Sequence, residues 1–100
     1  MIKNLKTERM PIRKRIKVTY KKLTKVNGWS YGNGSIEVDS RLKGKKLLEI
    51  LIHECMHEVF PEKEEDEIEK KAAIITRTLW HEGFRKIDND GKHLMQDELK

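Results

Sequence analysis

Between residues 12 and 20 the chain alternates. Ile12, Lys14, Ile16, Val18 and Tyr20 fall on one side; Arg13, Arg15, Lys17 and Thr19 fall on the other. Period two with β-branched residues predicts a half-buried strand. Asn27-Gly28 and Gly32-Asn33-Gly34 mark turns. Residues 35–39, Ser-Ile-Glu-Val-Asp, predict a second short strand, which Trp29 and Tyr31 can extend backwards as a hairpin. The period then changes. Over 45–60, Leu47, Leu48, Leu51, Ile52, Cys55 and Val59 gather on one side of a helical wheel. Pro61 stops that helix, because proline disfavours helical backbone in the residue before it. A second helix is predicted over 64–86. Ile68, Ala72, Ile75 and Leu79 form its apolar stripe, acids crowd its first turns where the dipole favours them, and Gly83 is a candidate stop. Strands followed by helices predict an α+β fold, with a small antiparallel or mixed sheet packed on one helix and a second, longer helix beside it.

A chain of 100 residues suits one domain with a modest core. With 39% charged and 36% apolar residues that core is small, and a bound metal would add to its stability. The apolar residues cluster with clear periods, which argues against disorder. The single cysteine, Cys55, rules out an intrachain disulfide and suits a reducing cytosol. No apolar run reaches bilayer length, and the opening Met-Ile-Lys-Asn-Leu-Lys lacks the apolar stretch of a signal peptide. The expectation is a cytoplasmic protein without membrane contact. Residues 1–11 read as a basic arm and 88–100 as a loose polar tail. The net charge of +5 is unevenly spread: residues 1–25 hold ten Lys or Arg and one acid, while 61–71 hold six acids. The basic arm makes nucleic acid or an acidic protein a candidate partner. A solvated strand with a ragged terminus explains the same residues more simply.

The sharpest chemical signal is His53-Glu54-Cys55-Met56-His57 inside the first predicted helix. Histidines four apart on a helix share a face and can grip one ion without distorting the backbone. Zinc accepts imidazole nitrogen and carboxylate oxygen in a tetrahedral shell. Glu54, beside the first ligand, is placed to take a proton from a water as general base. A helix with two exposed histidines that bind nothing would need no further ligand nearby. On the second wheel, however, Glu65 and Glu69 flank the apolar stripe, where a carboxylate is costly unless paired or metal-bound. Glu65, nearer His57, is the preferred third ligand; Glu69 is the alternative, or a group that orients a ligating histidine. If the helix rolls, both acids reach solvent.

Residues 34–86, from Gly34-Ser-Ile-Glu-Val-Asp through His53–His57 and Phe60-Pro61 to Glu65 and Trp80, resemble small zincin-type metallopeptidase domains of phage and bacterial genomes. They are more distantly similar to SprT-like and immunity-repressor-cleaving zinc peptidases. The resemblance implies a minimal zincin-like fold and a Zn2+ ion on His53, His57 and Glu65. It also implies Glu54 as general base and a protein or peptide substrate. If phage-encoded, the protein would act in the cytoplasm of a bacterial host. In such proteins the strand before the active helix can bind an extended substrate along its edge, which here would be strand 35–39. No third histidine stands where SprT-like proteins carry theirs, and Glu65 follows His57 closely.

Other residues carry weaker signals. His81 falls off the apolar stripe and His93 lies in the polar tail. Cys55 sits on an apolar face and reads as core. Asp88-Asn-Asp-Gly91 lacks the full calcium-loop pattern and reads as a helix exit. Tyr20 and Tyr31 are candidates for stabilising an oxyanion. Two functions compete: a zinc-dependent metallopeptidase, and a catalytically silent, zinc-stabilised module that binds nucleic acid or a host protein.

Overall fold

The computed structural model describes residues 15–87. Three strands, β1 (Lys17–Lys21), β2 (Gly28–Ser30) and β3 (Ser35–Asp39), precede two helices, α1 (Gly44–Val59) and α2 (Glu65–His81). The fold is α+β, with one mixed sheet in the order β1-β3-β2. β1 pairs β3 in parallel, Val18 opposite Ile36 and Tyr20 opposite Val38. β2 pairs β3 antiparallel, Trp29 opposite Glu37. The β2–β3 connection needs positive φ at Gly32 (80°) and Gly34 (90°), which glycine adopts without strain. The Asn33 side chain accepts the Ser35 N–H at 3.1 Å and fixes the turn.

This order corrects one expectation. Strand 35–39 is central and paired on both sides, so it offers no edge to a substrate. The physical reason is burial. Ile36 and Val38 are 1% and 0% exposed, and the strand carrying them is covered along both flanks. Among the described residues, the unpaired edge beside α1 belongs to β2. The strand expected over 12–20 begins only at Lys17, and residues 12–14 lie outside the described part.

Two apolar clusters share α1. Ile36, Val38 and Leu47 fill the space between sheet and helix, helped by Ile16, Val18, Leu42, Ile50, Leu51 and Cys55. Met56, Ile68 and Ala72, with Ile52, join α1 to α2. Among these elements α2 packs on α1 alone, so α1 is the middle layer. The stripe of α2 differs from the expected one. Thr76 is buried while Ile75 is 40% exposed. The Thr76 hydroxyl donates to the Ala72 carbonyl at 2.6 Å, which satisfies it inside the core. Val59 is likewise half exposed rather than buried.

Both helix ends have local causes. At the end of α1, Phe60 N–H reaches the Met56 carbonyl at 2.8 Å and Pro61 prevents another turn. At the end of α2, Gly83 takes a φ of 95°. Gly83 N–H bonds Trp80 O and Phe84 N–H bonds Leu79 O, both at 3.0 Å, which is a Schellman closure. No described helix is long and apolar enough to cross a membrane.

Candidate metal centre

The four-residue spacing puts His53 and His57 on one face of α1, with ring centroids 4.9 Å apart and planes inclined by 62°. Glu65, the first residue of α2, stands across from them. Its carboxylate spans the pair: Oε2 lies 3.0 Å from His53 Nε2 and Oε1 lies 2.8 Å from His57 Nε2. One ligand atom from each residue falls within 4.8 Å of the others. The imidazoles are 14% and 25% exposed, whereas the carboxylate is 67% exposed and closes the group from the solvent side.

The donor set suits zinc. Two ligand atoms at zinc–ligand distances of about 2.0–2.1 Å in a tetrahedral shell are about 3.3 Å apart. The Glu65 oxygens, at 3.0 and 2.8 Å from the imidazole nitrogens, would need to draw back slightly to admit the ion. Glu65 therefore reaches the histidines, but not from a buried stripe. Both Glu65 and Glu69 are exposed. The wheel placed them inward because it treated the first turn as packed; α1 covers only the stripe from Ile68 onward. Glu69 lines the cleft beside the centre without joining the three-residue group.

Glu54 is 8% exposed and faces β2. The approach is close because the opposing residue is glycine. A Cβ on Gly28 would lie 2.8 Å from Glu54 Cγ and 3.0 Å from Oε2. No described residue makes a hydrogen bond or ion pair with Glu54. Burial raises its carboxyl above the ordinary range, against the opposing pull of His53 and His57. A nearly buried carboxylate beside two imidazoles, without a hydrogen-bond partner among the described residues, takes up a proton more readily than an exposed one.

Glu58 escaped the sequence reading. It is fully buried one turn beyond Glu54. Its carboxylate accepts hydrogen bonds from Ser30 Oγ, from Gly32 N–H at 2.5 Å and from Gly34 N–H at 2.7 Å. These bonds tie the β2–β3 turn to α1 and so fix one wall of the cleft. A signal was present: Glu58 follows Leu51 by seven positions and Glu54 by four, which places it on the apolar side of the wheel.

The centre opens into a cleft of ≈ 660 Å³. One wall is β2 with its flanking residues; the other is α1 from Lys46 to His57, and Pro61, Glu65 and Glu69 close one end. Tyr31 lines this cleft, and a side-chain hydrogen bond with Glu37 raises its phenol above the ordinary value. Tyr20 lies in a different cavity, beside Trp80 and Phe84. Cys55 packs into the sheet-facing core, and burial raises its thiol, as expected of a structural cysteine. His81 is exposed. His93, residues 88–91 and the basic arm, 1–11, lie outside the described residues. No protein-family model, curated protein or solved structure matches the chain.

Proposed function

We propose that this protein is a zinc-dependent metallopeptidase. The observation that carries the proposal is the convergence of His53 Nε2, His57 Nε2 and the Glu65 carboxylate beside Glu54, which has no hydrogen-bond or ion-pair partner among the described residues. His53, His57 and Glu65 would hold the ion. Bound zinc supplies a lowered water pKa and polarises a carbonyl oxygen.

The chain's own residues supply the rest. Glu54 takes a proton at its carboxylate and returns it to the leaving amine. Its low exposure limits competition from bulk water. The outer edge of β2 faces the cleft and pairs with no other described strand, so its backbone groups can pair with an extended peptide. Glu58 holds the turn that ends this edge. Backbone pairing makes few side-chain demands, so a peptide fits the cleft better than a compact small molecule.

The test is Glu54→Gln. The variant should keep zinc and lose hydrolysis of an unstructured polypeptide by at least about a hundredfold. A silent binding module would show no difference between variant and parent. Hydrolysis that survives the change refutes the assignment of Glu54.

A further inference from the structure

The cleft carries a charge opposite to that of the chain. Its lining holds Glu49, Glu54, Glu65 and Glu69 against one ammonium, Lys46, in a protein of net charge +5. Two of these acids already have roles, since Glu65 faces both imidazoles and Glu54 is the buried base. Glu49 and Glu69 have none. Neither makes an ion pair or hydrogen bond with a described residue. Outside the cleft, Glu67 pairs with Lys63 and Lys71 at 3.5 and 3.8 Å, and Asp39 with Arg41 at 2.8 Å.

Position gives these two carboxylates a purpose. Glu49 precedes His53 by one helical turn on α1, and Glu69 follows Glu65 by one turn on α2. The short connection between the helices makes them run antiparallel. Both residues therefore lie towards the N-terminal end of α1, on one side of the metal-binding group. Glu54 independently marks the cleft as a ligand site, being more than nine-tenths buried, without a hydrogen-bond or ion-pair partner among the described residues, and part of its lining.

We propose that Glu49 and Glu69 form a cation-selecting subsite, so that the cleft takes an extended peptide with a lysine or arginine beside the bond that is cut. The inference rests on the peptidase reading and adds a substrate class to it. An acidic side chain in the same place meets two carboxylates and is rejected. Lys46, further from the ligands along α1, repels a second cation and confines the preference to the position next to the metal centre. Glu49 is half-buried and Glu69 exposed, so the selection is moderate.

The experiment uses the full chain, zinc-loaded and carrying Glu54→Gln so that bound peptide persists. Three short peptides of alanine and glycine, differing only in a central Lys, Gln or Glu, are titrated calorimetrically. The Lys peptide should bind about three- to tenfold more tightly than the Gln peptide, with the Glu peptide weakest. Adding Glu49→Gln and Glu69→Gln should abolish this order while zinc content stays unchanged. Equal binding of the three peptides, no binding of any, or an order that survives the added changes overturns the subsite. Loss of zinc in Glu69→Gln overturns it too, because that residue would then be a ligand. The peptidase reading fails separately, if protein with Glu54 intact leaves all three peptides and longer polypeptides uncut.

Discussion

Glu65 meets both histidines with one carboxylate, whereas Glu69, a turn further along α2, meets neither. Metal affinity should follow this difference. Glu65→Gln is expected to weaken zinc by more than about a hundredfold, and Glu69→Gln to change it little; competition with a chromogenic chelator reads both. The reverse order would exchange their roles. Gly28 gives a second test. Its missing side chain lets β2 approach Glu54, so Gly28→Ala pushes a methyl to within 2.8 Å of Glu54 Cγ. That variant should lose about 1–3 kcal/mol of stability and lower turnover with zinc retained, seen by thermal unfolding and metal analysis. Asp39 sets a pH limit. Hydrogen bonds from Arg41 hold its carboxyl down at about 2, below the ordinary 3.8. The folded value is the lower one, so the Asp39 contribution is complete above about pH 4 and disappears as pH falls through about 2. Arg41→Ala should therefore unfold at higher pH in an acid titration followed by circular dichroism. At this scale the sequence placed His53 and His57 on one face of a helix, with Glu54 beside them, because a fixed helical spacing carries the geometry. It could not reveal why Glu65 reaches them. The wheel turned Glu65 inward, but its contact arises from the start of α2 lying beside α1. Glu58 could have been found, since it falls among leucines on the same wheel.

Local patterns mark the elements well and their neighbours poorly. Periodicity places α1 and α2 within a few residues of their observed bounds, because proline and glycine stop them and apolar spacing defines their faces. Burial of Thr76 in place of Ile75 was hidden, since a threonine enters a core when its hydroxyl finds a carbonyl one turn back. Strand order was hidden as well. Nothing in Ser35–Asp39 says that β1 will lie along one side in parallel while β2 lies along the other. The central position has a direct consequence. Ile36→Pro and Val38→Pro each remove a backbone donor and force a ring into a paired strand. Both variants should misfold, read as loss of cooperative thermal unfolding. A folded variant with cleavage selectively abolished would instead place β3 at an edge. Glu58 binds elements together in the same way. Glu58→Gln weakens three hydrogen bonds to a buried carboxylate and should cost about 2 kcal/mol in chemical denaturation.

At the scale of the molecule, α1 is the middle layer and carries both clusters of a small core. The His53, His57 and Glu65 group lies where α1, α2 and the β2 edge meet, so an ion there would bind two helices together. Binding to the folded state alone raises stability with the free ion concentration. The charge is divided as well, with carboxylates in the cleft and ten Lys or Arg in the first 25 residues. If the arm binds a polyanion, its affinity falls steeply with added salt, because phosphate contacts release counterions. The central claim, however, is the ion on His53, His57 and Glu65. Its most direct test is zinc content per chain, measured by mass spectrometry of the native protein and of the His53→Ala, His57→Ala double variant. The arrangement predicts one tightly held zinc in the first and none in the second; equal zinc in both, or none in either after zinc loading, would contradict it.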